Sequence, residues 1–93
     1  MRESPDDFLA LYHVGRCAAL SGQQLERGIA ALRRCLTLPE PEPATGTPSF
    51  ANVHYRLGNL LDKKGCVDEA KLEYARALAA NGDFRPAKVA LKN

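Results

Sequence analysis

Apolar residues recur every three or four positions along most of the chain, and this spacing predicts amphipathic helices. The first helix is expected to start at Ser4, where a capping side chain precedes Pro5 and two acids, and to end at Gly22. Its predicted buried stripe is Phe8, Leu11, Val14 and Ala18. The second helix is predicted from about residue 23 to residue 38.

Three further helices are predicted in the second half of the chain. The third opens at Thr47 and Pro48 and ends at Gly65. Its predicted buried stripe is Phe50, Val53, Leu57, Leu60 and Leu61. The fourth helix has acids at residues 68 and 69 in its first turn and continues to about residue 80, and a short fifth helix covers about residues 86–92. The predicted fold class is therefore all-α, with five helices.

The helix pairs form an internal repeat. The segment YHVGRCAALSG, residues 12–22, aligns with YRLGNLLDKKG, residues 55–65, at an offset of 43, so that a tyrosine and two glycines coincide. After one extra residue in the first copy, the match resumes at an offset of 42 and pairs Gly28 with Ala70, Leu32 with Tyr74, Cys35 with Ala77 and Leu36 with Leu78. Each copy is thus a helix, a glycine turn and a second helix.

Small residues fall at the positions where paired helices must approach closely. They are Gly15, Gly28 and Cys35 in the first copy and Gly58, Ala70 and Ala77 in the second. A glycine inside a helix costs about 0.5–1 kcal/mol relative to alanine. We interpret this cost as offset by contact area along the helix pair, because glycine lets two backbones pack nearer than any side chain permits.

These spacings resemble those of the tetratricopeptide repeat (TPR) family. The second copy has Leu57-Gly58, Leu61, Gly65, Ala70, Tyr74 and Ala77 at the family's positions. The first copy matches more loosely, through Val14-Gly15, Ala18, Gly22, Gly28, Leu32 and Cys35. The chain departs from the family where Leu11 and His54 replace a large aromatic residue and where Gly82 stands in place of the usual proline.

The resemblance implies a right-handed superhelix of antiparallel helix pairs in a single domain, residues 1–93. Repeat one covers about 4–38, a proline-rich insertion 39–49, repeat two about 50–82 and a capping helix about 84–92. The insertion lengthens the family's period of 34 residues, and its alternating prolines and acids are expected to be extended and solvated. A role for it as a proline-motif ligand is the alternative. Such arrays usually need about three units and a cap, so the chain could also be a fragment of a longer array.

Composition and charge narrow the classes of protein. The 93 residues, 45% of them apolar and 26% charged, fit one small globular domain. The formal net charge is +2 and no basic residues cluster, which argues against nucleic acid as a partner. No apolar stretch approaches the roughly 20 residues that span a bilayer, and the N-terminus turns acidic where a secretory signal would be apolar. We therefore expect a cytoplasmic protein with no membrane partner.

Candidate catalytic and metal-binding residues are few. The chain has no GxSxG, Walker glycine loop or HExxH, so we expect neither an enzyme nor a cofactor. His13 and Cys17 are one helical turn apart, but two further ligands are missing, so no metal site is predicted. Three cysteines without CxxC spacing argue against a disulfide framework. Cys17 and Cys35 fall where the repeat has small buried residues, whereas Cys66 follows a turn glycine and is expected to be exposed.

The candidate binding site is the polar face of the first helix in each copy. In the TPR family, as the resemblance implies, these helices line a concave groove that holds an extended peptide or a partner's helix. The predicted partner-binding residues are Tyr12, His13, Arg16, Asn52, Tyr55, Arg56 and Asn59, and the same faces carry Leu9, Ala19 and Asp62. Tyrosine offers contact area, arginine a fork for carboxylates and asparagine a grip on peptide backbone, so an acidic or C-terminal peptide is expected.

One TPR subset clamps chaperone tails with lysine and asparagine, and that clamp is absent here because Tyr12, Arg16 and Arg56 occupy the corresponding places. The polar face could also be simply solvated, with its tyrosines packed between neighbouring helices. Two other functions remain open at this point. One is self-assembly into a homodimer through Leu9 or the fifth helix. The other is binding of single-stranded RNA, against which the weak net charge counts.

Overall fold

The computed structural model describes residues 7–41 and 48–92 and confirms the all-α fold class. Within these ranges there is no strand, and the five helices are α1 (Phe8–Ser21), α2 (Leu25–Cys35), α3 (Phe50–Lys64), α4 (Val67–Ala80) and α5 (Arg85–Lys92). Helix α1 packs on α2 and α3 packs on α4, while α3 also contacts both helices of the first pair. Helix α5 packs on α4. This packing of helix pairs is consistent with a helical repeat.

The starts of α1 and α3 differ from their predicted positions because other residues cap them. Asp7 caps α1, and its Oδ1 accepts hydrogen bonds from the backbone N–H of residues 9 (3.0 Å) and 10 (3.3 Å). The predicted cap at Ser4 lies outside the described residues. Helix α3 begins at Phe50 rather than at residues 47 and 48, since the backbone N–H and hydroxyl of Ser49 both donate to Oδ1 of Asn52. Of the predicted start, Thr47 lies outside the described residues.

Helix α2 is shorter than predicted at both ends. It starts at Leu25 because Gln24, its N-cap, has a left-handed φ of 54°. It ends at Cys35, and residues 36–38 continue as a turn in which the N–H of Leu38 donates to the carbonyl of Cys35 over 3.1 Å. The predicted glycine ends of the other helices are present: Gly22 and Gly65 adopt left-handed φ values of 75° and 96° after α1 and α3.

The core lies between the two helix pairs. Its largest fully buried side chains are Leu32, Cys35, Val53, Leu57 and Leu60. The predicted stripe of α1 is confirmed in part: Ala18 is buried and Phe8 and Leu11 pack half-buried against the core, but the other fully buried residues are Tyr12, Gly15 and Ala19, and Val14 is half-buried. The physical reason is that α1 contacts both α2 and α3, so its buried surface includes residues on either side of a single contact line. In α3 the predicted stripe is buried except for Phe50, which is half-buried and stacks on Phe8 with ring centroids 6.1 Å apart.

Two glycines occupy equivalent places in the two helix pairs. A Cβ on Gly15 would lie 2.6 Å from Cδ1 of Leu32, and a Cβ on Gly58 would lie 2.7 Å from Cδ1 of Tyr74. In proteins, a Cβ atom essentially never comes within 3.0 Å of a heavy atom of a non-neighbouring residue, so neither glycine could be replaced without a shift of its surroundings. Leu32 and Tyr74 are the residues that the internal repeat pairs, so each first helix receives a large side chain of its second helix at its glycine.

Helix α5 is amphipathic and lies at the end of the array. Ala87 is fully buried against the core, whereas Val89 is 53% exposed. Phe84, just before α5, meets the ring of Tyr55 edge-on with centroids 5.6 Å apart and so attaches the start of α5 to the second helix pair.

Candidate partner-binding surface

The seven predicted partner-binding residues, Tyr12, His13, Arg16, Asn52, Tyr55, Arg56 and Asn59, are called the first-helix face below. Three residues of the first-helix face lie on α1, and only two of them are at the surface. His13 and Arg16 are exposed and lie one turn apart. Tyr12 is only 8% exposed and belongs to the hydrophobic core, as does Ala19 on the same helix. The polar groups that α1 exposes on this face are therefore an imidazole and a guanidinium.

The two asparagines on α3 are half-buried and partly used inside the protein. Asn52 accepts from Ser49 at the helix start, as described above. Oδ1 of Asn59 accepts a hydrogen bond from the phenol of Tyr74 over 3.4 Å. Each carboxamide thus uses its oxygen internally, and its NH2 group is the remaining donor.

Tyr55 lies in an aromatic cluster that joins α3, α4 and the start of α5. Its ring centroid is 5.9 Å from that of Tyr74 and 5.6 Å from that of Phe84. Burial raises the pKa of Tyr74 to about 12, with further increases from Asp62 and Tyr55. The phenol of Tyr74 is therefore protonated at neutral pH and donates to Asn59, and the cluster gives this end of the face a fixed shape.

Arg56 is the charged centre of the α3 part of the face. Its guanidinium carbon lies 5.4 Å from the centroid of the Tyr55 ring, at a distance typical of a cation–π contact. Its Nε is buried and is the one buried side-chain nitrogen or oxygen of the described ranges without a hydrogen-bond partner. A buried donor without a partner is costly, so this nitrogen lowers the stability of the fold. No ion pair joins Arg56 to a carboxylate in the described part of the chain.

A buried charge cluster between α3 and α4 was not predicted. Nδ1 of His54 lies 2.7 Å from Oε1 of Glu73, and Nη1 of Arg76 donates to Oε2 of the same carboxylate over 2.8 Å. Glu73 is only 7% exposed. Burial disfavours the charged carboxylate and so acts to raise the pKa of Glu73. The hydrogen bonds and charges of His54 and Arg76 outweigh this effect, so the pKa of Glu73 is lowered. The sequence does contain a signal for this cluster. His54 lies one turn before Gly58, and it is therefore on the side of α3 that meets α4.

The three cysteines are free thiols and differ in exposure. Cys17 is exposed, contrary to the prediction of a small buried residue, because it lies on the side of α1 away from the core. Cys66 is half-buried rather than exposed, since it packs against the hydrophobic core. Cys35 is fully buried, and burial raises its pKa to about 11. No group of three or more histidine, cysteine and acidic side chains is placed to hold a metal ion within residues 7–41 and 48–92.

Grooves on the described part of the surface include one that shares His13 with the first-helix face and one at α5. A groove of about 420 Å³ between α1 and the start of α2 is lined by His13, Val14, Cys17, Ala18, Ser21, Gln23, Gln24 and Arg27. A second groove, of about 470 Å³, lies between α4 and α5. None of the helices seen in the described ranges combines the length and apolarity needed to cross a bilayer.

The architecture defines this chain as an all-helical protein built from antiparallel helix pairs. No protein-family model, curated protein or solved structure matches it. Its function therefore has to be argued from its own surfaces.

Proposed function

We propose that this chain is a non-catalytic protein-interaction domain of the TPR type, a cytoplasmic adaptor or scaffold that binds a peptide or helix of a partner protein along the first-helix face. The observation that carries the proposal is Arg56. Its guanidinium is held against Tyr55, and none of the ion pairs within the described ranges includes it. A cation fixed in this way favours a ligand that supplies the missing carboxylate.

The charges of the rest of the face favour the same ligand. Exposed His13 and Arg16 on α1 lie on the predicted face together with Arg56, and the acid that the sequence places with them is Asp62. The two helices that carry this face, α1 and α3, are in contact. An acidic segment or a C-terminal carboxylate complements this surface.

The half-buried donors on α3 suit a polypeptide ligand in particular. The NH2 groups of Asn52 and Asn59 lie seven residues apart on α3, which is two helical turns. Donors at this interval can bond to backbone carbonyls of an extended peptide or to the side chains of a helix. The fixed Tyr55 ring adds apolar contact area beside them.

Selection from a library of random displayed peptides tests the proposal without a known partner. We expect the enriched peptides to be rich in aspartate and glutamate. Binding of a selected peptide should weaken about tenfold or more in Arg56→Gln, since a hydrogen bond to a charged group contributes about 1.5–3 kcal/mol. Arg33→Gln is the matched control, because Arg33 is an exposed arginine on α2 outside the face. Failure to enrich any saturable binder, or equal binding by Arg56→Gln, would refute the proposal.

Self-assembly is the second candidate, favoured by apolar side chains at the surface of α1. Leu9 is 48% exposed and Leu20 is 61% exposed. If these residues pair two chains, sedimentation equilibrium should show a dimer that Leu9→Glu converts to a monomer. A wild-type monomer over the whole accessible concentration range would exclude this candidate.

A further inference from the structure

Helix α1 exposes two side chains of metal-binding type one turn apart. His13 and Cys17 occupy positions i and i+4, and both line the groove of about 420 Å³ between α1 and the start of α2. Neither side chain takes part in a hydrogen bond or ion pair within residues 7–41 and 48–92. Two ligands at this interval on one helix can bind the same metal ion, as the two histidines of a helical HExxH motif do.

One chain supplies only half of a metal site. A zinc ion held by thiolate and imidazole is almost always four-coordinate and tetrahedral. Within the described part of the chain, no third histidine, cysteine or acidic side chain joins His13 and Cys17. Two ligands are therefore missing, and a second copy of the chain carries a matching pair.

The exposed face of α1 is symmetric about its middle. Leu9 and Leu20 are 48% and 61% exposed and lie about three helical turns apart, on the side of α1 away from the core. The midpoint of the two leucines falls between positions 14 and 15, and the midpoint of His13 and Cys17 falls at position 15. The apolar pair and the ligand pair thus share one centre.

This symmetry makes the face complementary to itself. In an interface with a two-fold axis, residue i of one copy contacts residue j of the other, and j contacts i. Two antiparallel α1 helices related by an axis through the shared centre bring Leu9 of each copy to Leu20 of the other. The same axis brings His13 of each copy to Cys17 of the other. Because packed helices lie about 8–10 Å apart, side chains of both copies can reach one ion between them.

From this geometry we propose that His13 and Cys17 of two copies bind one zinc ion at the two-fold axis of an antiparallel α1–α1 dimer. Two thiolates and two imidazoles form a tetrahedral S2N2 ligand set, which suits Zn²⁺. The thiols lose their protons on binding, so the two thiolates balance the charge of the ion. The zinc site goes beyond the proposed function, and it differs from the self-assembly candidate because the dimer requires the metal.

Titration of the full chain with Co²⁺ tests the site, because Co²⁺ takes the tetrahedral position of zinc and reports its ligands by absorption. The protein is kept reduced with a phosphine. We expect one ion per two chains, strong visible absorption of tetrahedral cobalt and a near-ultraviolet band from thiolate coordination, all abolished when zinc displaces cobalt. Sedimentation equilibrium should show a dimer with zinc and a monomer with EDTA.

Substitution of the ligands should remove the metal. Cys17→Ser and His13→Gln should each weaken Co²⁺ binding more than about 100-fold, since even a group that only orients a metal ligand contributes about 10–100-fold. Cys66→Ser is the matched thiol control and should bind as wild type does. Zinc should also protect Cys17 from a maleimide and leave Cys66 reactive, and circular dichroism verifies that each variant is folded.

Two of the variants separate the zinc site from the proposed function. Arg56→Gln changes α3 alone, so it should keep the zinc-dependent dimer while it loses the acidic peptide. Cys17→Ser should lose the dimer and still bind the selected peptide, because Cys17 is not part of the first-helix face. The two proposals can therefore fail or succeed separately.

Three results would overturn the zinc site. The first is a dimer that is equally stable in EDTA, since apolar contacts alone would then pair the chains. The second is cobalt binding without a thiolate band, or equal binding by Cys17→Ser. The third is saturation only at millimolar metal, which would mean an adventitious ion only.

Discussion

Gly58 lies directly beneath the ring of Tyr74, where a Cβ would come within 2.7 Å of Cδ1 of the ring. The same relationship joins Gly15 to Leu32 in the first helix pair, with 2.6 Å to Cδ1 of the leucine. Each glycine thus makes room for a large side chain of the paired helix. The pairs are held by packing at this point as well as by the apolar residues around it.

Gly58→Ala should therefore destabilise the fold, although alanine is the better helix former. Overpacking of this kind costs about 1–3 kcal/mol, which exceeds the gain in helix propensity of at most about 1 kcal/mol. We expect a net loss of roughly 1–2 kcal/mol in the free energy of unfolding, measured by urea denaturation.

Gly82→Ala is the matched control for that experiment. No atom lies within 4 Å of a Cβ at this position, and its φ is not positive. Alanine there should stabilise the protein by about 0.4–1 kcal/mol, because it reduces the conformational entropy of the unfolded chain. Equal effects of the two substitutions would contradict the packing role of Gly58.

The buried carboxylate of Glu73 should make stability depend on pH in the acid range. Its pKa in the folded protein lies below its ordinary value of 4.5. The stabilisation is fully present above about pH 4.5, decreases as the pH falls through the lowered pKa, and is then lost because protonation removes the charge that His54 and Arg76 bind. Glu73→Gln should lack this contribution and lose about 1–3 kcal/mol at pH 7.

Urea unfolding midpoints between neutral and acid pH measure this effect, and Glu69→Gln provides the comparison. Glu69 pairs with Arg33 at 3.9 Å on the surface, so its removal should change the free energy of unfolding by less than about 1 kcal/mol. Parallel pH profiles for wild type and Glu73→Gln would show that the buried cluster contributes nothing to the acid dependence.

The three thiols should react with a maleimide in an order set by their exposure. Exposed Cys17 should react fastest and half-buried Cys66 more slowly. Cys35 should be protected, because it is fully buried and a pKa of about 11 leaves very little thiolate at neutral pH. Mass spectrometry of the peptides gives the order, and Cys35 should become reactive only in denaturant. Rapid labelling of Cys35 in the native protein would mean that α1 and α2 separate readily.

The helices and their glycine ends were predictable because the signals for them are local. Gly22 and Gly65 adopt left-handed conformations that side chains disfavour, so they end helices wherever they occur after a periodic stretch. The start of α3 was missed by a few residues, since Asn52 takes the part that glutamate or glutamine usually takes in a capping box.

The features that were missed depend on contacts between distant parts of the chain. Tyr12 was assigned to the polar face because its own helix gave no sign that neighbouring helices would bury it. His54 and Glu73 are 19 residues apart, and their pairing follows only once α4 is known to cross α3 at Gly58. The position of a binding face is therefore less predictable than the helices that carry it, because burial on a helix depends on every neighbour that the helix acquires.

A hydrogen bond between described residues joins the start of the proline-rich insertion to the residue that follows it. Oε2 of Glu40, near the start of the insertion, accepts a hydrogen bond from the backbone N–H of Phe50 over 3.0 Å and so adds a cap to α3. The entropy of closing a loop grows only slowly with its length, by about 0.6 kcal/mol for each doubling. The intervening stretch is consequently a natural entry point for foreign sequence, such as an epitope or a fluorescent reporter, that would leave both helix pairs intact.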